Sequence, residues 1–196
     1  AGGVEAFCIG SEMRALTQIR GAGDSFPAVQ ALIALAAEVR ALLGPSCKLS
    51  YAADWSEYFG YHADNNVYFH LDPLWADPNI DFVGIDNYMP VSDWREGETH
   101  ADSGWQVLQN PDYLQANIAG GEGFDWFYAN DADDASQVRT PISDGAAAKP
   151  WVFRPKDIRA WWQSQHFNRP GGVESGLATA WVPQSKPIWF TELGCP

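Results

Sequence analysis

Four short apolar runs in this chain each stop on an acidic residue, and no other feature constrains the fold as tightly. Ala6-Phe7-Cys8-Ile9-Gly10-Ser11 leads into Glu12, and Lys48-Leu49-Ser50-Tyr51-Ala52-Ala53 leads into Asp54. Ile80 to Ile85 leads into Asp86, Asn87 and Tyr88, and Lys186 to Thr191 leads into Glu192. Apolar runs of this length read as strands buried on both faces, as in a parallel sheet. Gly10, just before the end of the first run, lets the backbone turn or admits something close. In a parallel barrel the C-terminal strand ends share one rim, and catalytic residues sit on that rim. Glu12 and Glu192 are therefore expected to face one another across a pocket.

The segments between the runs fit this frame. Met13 to Arg20 reads as a short helical turn or loop. Asp24-Ser25 then offers an N-cap and Pro27 a first-turn proline for a helix to about Leu43. Val29, Leu32, Ile33, Ala36, Val39, Leu42 and Leu43 recur in it at helical spacing. Gly44-Pro45 ends it, and strand, helix, strand in that order is a βαβ unit. A short helix is expected within 67–75. The acid-to-acid spacing is 42 residues from Glu12 to Asp54 and 32 from Asp54 to Asp86. Each fits one βα repeat of a barrel of roughly 250 residues in eight repeats. Asp86 to Glu192 spans 106 residues, so it must hold an insertion. Residues 92–150, rich in aromatics, Gly, Asp and Asn, read as a long elaborated loop over the rim rather than a second packed domain. Pro155 to His166 reads as the last helix, with Ile158, Trp161 and Trp162 on its inner face. The expected fold is α/β, a partial TIM (β/α)8 barrel of about four βα units with a long insertion before the last strand. It forms a single domain over 1–196. Half a barrel leaves apolar edges open. The chain thus reads as a piece of a longer polypeptide, or as one whose edges pair between copies.

Composition narrows the function classes. With 196 residues, 46% hydrophobic and 19% charged, the chain is expected to be globular. No apolar stretch is expected to reach the ~20 residues of a membrane span, so no membrane insertion is expected. No export leader is visible. The net charge is −13. Residues 54–144 hold 18 acids against Arg95 and Arg139, a net −16. That balance argues against nucleic acid, which needs cations against phosphate. It suits neutral or cationic ligands, or simply a solvated acidic surface. Cys8, Cys47 and Cys195 form no CxxC and no even set, so neither a disulfide framework nor a catalytic thiol is expected.

Two carboxylates facing across a sugar are what glycoside hydrolysis requires. One donates a proton to the leaving oxygen, and the other attacks the anomeric carbon or activates water. Ten Trp and seven Tyr supply rings on which sugar C–H faces stack. The plain alternative pairs Glu12 with Arg14 or a backbone donor and leaves Glu192 a rim residue. Asp54 with Glu57, and Asp86, read as further substrate contacts or hydrogen-bond anchors, and Tyr88 as a donor that keeps the second carboxylate ionised. Trp55, Asn87 and Trp126 join them as candidate sugar contacts. His62, His70 and Asp72 lack a compact metal motif. Asn130 to Asp134 lacks the EF-hand glycine and distal Glu and reads as a solvated loop. No metal or cofactor is expected.

Four blocks carry a family resemblance: Phe7 to Met13, Tyr51 to Tyr58, Phe82 to Pro90 and Phe190 to Pro196. Together they resemble the TIM-barrel-like domain of gene transfer agent tail proteins, large phage-tail-like proteins of alphaproteobacteria. The resemblance spans essentially the whole chain. It implies the central-to-late part of a barrel similar to the retaining glycosidases with catalytic Glu on the fourth and seventh strands. On that basis Glu12 is the acid/base and Glu192 the nucleophile, with Tyr88 near it on the sixth strand. Ser11 stands where such enzymes place an Asn on the sugar 2-hydroxyl, a departure that leaves open a binding-only site. The resemblance further implies a glycan partner, with peptidoglycan as the candidate, together with other tail proteins. It places the domain in a phage-like particle tail acting at the recipient cell envelope. The alternative is a non-catalytic structural or glycan-binding module of the tail hub.

Overall fold

The computed structural model describes residues 3–97 and 99–195. The chain divides into two compact units, one of Ala1–Asn87 with Trp162–Leu193 and one of Tyr88–Trp161 with Gly194–Pro196.

The first unit holds an open parallel sheet. Its strands are β1 (Ala6–Ser11), β2 (Lys48–Asp54), β5 (Val83–Asn87) and β8 (Ile188–Leu193), in the order β1-β2-β5-β8. All three pairings are parallel. This is the partial TIM-barrel architecture expected from the four acid-tipped runs. Burial on both faces holds for the inner strands β2 and β5 only. Phe7 on β1 and Trp189, Phe190 and Leu193 on β8 are exposed, because each outer strand has one neighbour instead of two.

After β1 a single turn, α1 (Arg14–Thr17), precedes the long helix α2 (Pro27–Leu43). The expected cap at Asp24-Ser25 is not used: the N-cap is Phe26, with no side-chain hydrogen bond. Ser25 Oγ instead donates to the Ala22 carbonyl at 2.8 Å. Val29, Leu32 and Ala36 are buried where α2 packs on β1, β2 and the short helix α3 (Asp72–Trp75). Leu42 is 83% exposed. Gly44, at φ 78°, ends the helix, a left-handed backbone that glycine adopts without strain. Arg40 then closes the corner, donating to the Gly44 carbonyl at 3.1 Å and the Asn79 carbonyl at 2.8 Å and pairing with Asp81.

The expectation about membrane-length stretches needs correction. By length and composition alone Ala22–Leu43 is apolar enough to cross a membrane, a test that core helices also pass. In the sequence, Gly23, Asp24 and Pro27 read as loop and cap and divide that stretch. Extended backbone at Ser25 and Phe26 confines the regular α-helix to Pro27–Leu43.

A hairpin unforeseen in the sequence, β3 (Tyr61–Ala63) with β4 (Asn66–Tyr68), follows β2. Asp64 and Asn65 turn it at φ 52° and 59°, the pair of left-handed residues that a tight hairpin demands. The short helix expected within 67–75 is Asp72–Trp75, while Val67 and Tyr68, earlier in that stretch, lie in this hairpin. Phe26 packs its ring on Tyr61, Tyr68 and His70 at 5.2–5.9 Å. Burial drives the His70 imidazole down to about 3 and that of His62, stacked on Phe59 at 4.6 Å, down to about 4. Asp72 is committed elsewhere: its carboxylate meets His166 Nδ1 at 3.0 Å and accepts from Thr179 Oγ1. His166 lies between Phe69 and Trp181 in a ring stack.

The second unit contains the stretch expected as an insertion. It holds α4 (Pro111–Ala116), the pair β6 (Trp126–Phe127) and β7 (Thr140–Pro141), and α5 (Asp131–Ser136). Asn130 to Asp134, read as a solvated loop, instead starts α5. Asn130 Oδ1 accepts the N–H of Ala132 and of Asp133, each at 3.0 Å. The aspartates fall in the first turn, where they complement the helix dipole. The last helix, α6 (Ile158–Gln163), is shorter than expected. Asp157 starts it, accepting the Ala160 N–H at 3.1 Å.

A polar network ties this unit together. Asp93 accepts from Arg139 Nη2 at 2.6 Å, Tyr128 Oη at 2.6 Å and Gln137 Nε2 at 3.0 Å, and pairs with Arg95 at 3.0 Å. Burial works against its charge, but the Tyr128 and Arg139 hydrogen bonds hold its carboxyl below the usual range. Arg139 also pairs with Asp102 at 2.9 Å and lies over the Trp126 ring at 4.3 Å. Tyr113, fully buried, donates to Asp102 at 2.7 Å and accepts the Asp93 N–H at 2.9 Å.

Asp93→Ala takes one of two carboxylates from Arg139 and the shared acceptor from Tyr128 and Gln137, and we expect it to cost about 3 kcal/mol in urea unfolding. His62 and His70 titrate below their unfolded value of 6.5, so the unfolded chain binds more protons as pH falls through that range. Stability should drop from pH 7 toward pH 5. The melting temperature of His70→Phe should drop less over the same interval.

Candidate active site

The C-terminal ends of the four parallel strands form one acidic rim. Register places Asp54 beside Asp86, and Asp86 beside Glu192. Ser11 lies beside Ala52, and the Glu12 N–H donates to the Ala52 carbonyl at 2.8 Å.

Both outer strands carry an irregularity just before their acid. Between Cys8 and Ser11, β1 advances three residues while β2 advances two, from Ser50 to Ala52. Between Ile85 and Asp86, β5 advances one residue while β8 advances two, from Phe190 to Glu192. Each is a bulge of one extra residue. Because side chains alternate along a strand, an extra residue re-aims the side chain that follows it. Gly10 sits in the first bulge, where an added Cβ would come within 2.5 Å of Met13 Cε.

Glu12 has φ 51°, uncommon for a residue with a Cβ and sustained only where the surroundings hold it. Two bonds do so. One is the Ala52 contact, and the other runs from the next N–H, of Met13, to the Tyr51 hydroxyl at 2.6 Å. That hydroxyl in turn donates a hydrogen bond to Glu57, lying 3.0 Å from both carboxylate oxygens. Glu57 is fully buried and also accepts from Thr17 Oγ1. Burial pushes the Glu57 carboxyl up against the pull of the Thr17 and Tyr51 hydrogen bonds. The Tyr51 phenol is pushed up by burial and then by the Glu57 charge.

Asp86 lies at the centre of the rim with no solvent exposure. Its Oδ2 accepts from Ser11 Oγ at 3.1 Å and its Oδ1 from Thr191 Oγ1 at 2.5 Å. Glu12 is exposed. Partial desolvation raises its carboxyl pKa first, followed by the charges of Asp86, Asp54 and Glu192. Burial, then Asp86, likewise raises the Cys8 thiol.

The other expected contacts fall as follows. Asp54 accepts the Ser56 N–H at 2.8 Å and ends its strand beside Asp86. Trp55 is half-buried, its N–H on the Asp86 carbonyl at 3.1 Å. Asn87 pairs in register with Leu193. Tyr88 and Trp126 belong to the second unit. Tyr88 lies close enough to Gly194 that a Cβ there would meet its ring at 2.7 Å, and Trp126 is covered by Arg139. Sequence reasoning passed over Thr191 and Thr17. A signal for Thr191 was present, because a hydroxyl residue precedes the terminal Glu in both Ser11-Glu12 and Thr191-Glu192.

Among the described residues, no group of three or more His, Cys, Asp or Glu side chains is placed to hold a metal ion. The chemistry within reach of the rim is that of carboxyl groups in mutual electrostatic contact. One of them, Glu12, is biased toward its protonated form, which is the condition for a general acid.

No curated protein matches the chain. The family model described as the GTA TIM-barrel-like domain matches residues 1–196. With that match over its whole length, the chain belongs to the GTA TIM-barrel-like domain family.

Proposed function

We propose that this domain is a glycoside hydrolase of a gene transfer agent tail, cleaving cell-envelope glycan by a retaining mechanism. Glu12 is the acid/base and Glu192 the nucleophile. The observation that carries this reading is the pair of bulges, each immediately before one of these two glutamates on strands that share a rim. Bulges are over-represented beside active sites because they turn a side chain out of the strand's alternation.

In the first step the Glu12 carboxylic acid gives its proton to the glycosidic oxygen while a Glu192 oxygen bonds to the anomeric carbon. The bond to the leaving group breaks, and a glycosyl ester remains on Glu192. In the second step the Glu12 carboxylate takes a proton from water, whose oxygen displaces Glu192. Neighbouring negative charge serves the first step by favouring protonated Glu12. Asp54, Trp55 and Asn87 are the groups of this unit assigned to the sugar. Peptidoglycan is the proposed substrate and other tail proteins the proposed neighbours. The reading involves neither nucleic-acid contact nor membrane insertion.

One observation favours a second reading. The Ser11 hydroxyl donates its proton to Asp86, so it cannot donate to a sugar 2-hydroxyl, the contact that the resemblance assigns to an Asn at this place. A domain that binds glycan in the tail hub without turning it over needs no such contact.

Turnover on purified peptidoglycan and a panel of aryl glycosides separates the two. Under the hydrolase reading the protein releases product, Glu12→Gln loses about 10²- to 10⁴-fold in rate, and Glu192→Gln abolishes release. Under the second reading there is no product on any substrate, and glycan binding is the same in all three proteins.

A further inference from the structure

Asp86 is a buried carboxylate for which the two-step reaction above has no chemical use. Among the described residues, no basic side chain pairs with it. Burying such a group costs several kcal/mol unless hydrogen bonds replace water. The replacements are two hydroxyls, one on each carboxylate oxygen. Their origin is informative. Ser11 and Thr191 sit on β1 and β8, the two outer strands of the sheet.

Asp86 lies on β5, beside β8 but separated from β1 by β2. Two strand spacings amount to about 9.6 Å in a flat sheet, too far for a serine and an aspartate side chain to meet. Their hydrogen bond therefore requires the sheet to curl as a barrel wall does, where side chains of alternate strands meet on the inside. Ser11 and Thr191 also close the two bulges, and each is bonded directly to a proposed catalytic glutamate.

We propose that Asp86 is a positioning residue that ties both glutamate-bearing strand ends to one buried point and so sets the spacing of Glu12 and Glu192. The proposal rests on the hydrolase reading for its consequence in rate, but its structural content does not. Loss of either hydroxyl frees one strand end, while loss of the Asp86 charge leaves the shape and changes the field. The groups facing Glu12 are Asp86 on β5, Asp54 on β2 and Glu192 on β8. Removing one of these negative charges makes Glu12 easier to ionise.

Four proteins test this: wild type, Ser11→Ala, Thr191→Val and Asp86→Asn. Carbon-13 NMR follows the Glu12 carboxyl titration and amide spectra report the strand ends, neither needing turnover. The expected result is that Ser11→Ala shifts the Glu192 amide and Thr191→Val shifts the Glu12 amide, each signal answering a change on the opposite strand. Asp86→Asn moves the Glu12 midpoint down. On a cleaved substrate, the two hydroxyl variants lower kcat by about tenfold to a hundredfold with KM little changed. Asp86→Asn moves the alkaline limb of kcat/KM to lower pH. Unmoved amides across the sheet, or a Glu12 midpoint unaffected by Asp86→Asn, overturn the proposal. If Asp86→Asn does not fold, the two hydroxyl variants decide it alone. Wild type that cleaves nothing but shows both amide responses overturns the hydrolase reading and leaves Asp86 as the tie between the strands.

Discussion

The parallel ladder from β1 through β2 and β5 to β8 is the constraint on which the first unit depends. Parallel strands cannot be joined by tight turns, so each return to the sheet needs a crossover. The crossovers here are α2 after β1, the hairpin and α3 after β2, and the whole stretch from Tyr88 to Pro187 after β5. Because all four strands run the same way, all four C-terminal ends lie at one edge. The acids that end the strands are gathered there by direction alone, before any side chain makes a contact.

Gathering like charges costs free energy, and the first unit contains the cost in two ways. Glu12 stays in solvent and shifts toward its protonated form. Asp86 is buried but receives a hydroxyl on each oxygen. Behind them Glu57 receives Tyr51 and Thr17. The Tyr51 hydroxyl links this buried carboxylate to the peptide after Glu12. The left-handed backbone at Glu12 is thus held from the strand on one side and from the core on the other. A strained residue maintained by two independent bonds fits a site whose geometry matters more than its local stability.

The second unit is organised differently. It has little regular structure, and its central feature is a set of ion pairs and aromatic rings around Asp93, Arg139 and Tyr113. Hydrogen-bonded networks of this kind specify one arrangement because each member leaves another unsatisfied if it moves. That explains how a stretch rich in Gly, Asp and Asn holds an ordered backbone. Composition alone carried no sign of this network, since the partners that bury Asp93, namely Tyr128, Gln137 and Arg139, lie far along the chain.

What the sequence determined by itself was the four strands of the parallel sheet, their common direction and the acids at their ends. These follow from local facts: apolar runs of strand length, a helix of 3.6-residue period between the first two, and Gly44-Pro45 to stop it. The family was legible from the same blocks. Tertiary structure decided the rest. The bulges before Glu12 and Glu192 are relations between two strands, and no single strand's sequence encodes a register. The same holds for Asp86, whose sequence position is compatible with a sugar contact or an anchor and does not show that Ser11 and Thr191 meet its two oxygens. Which strands lie side by side and how far the sheet curls are set by long-range packing. Only that packing turns an acid at the end of a strand into a group with defined neighbours.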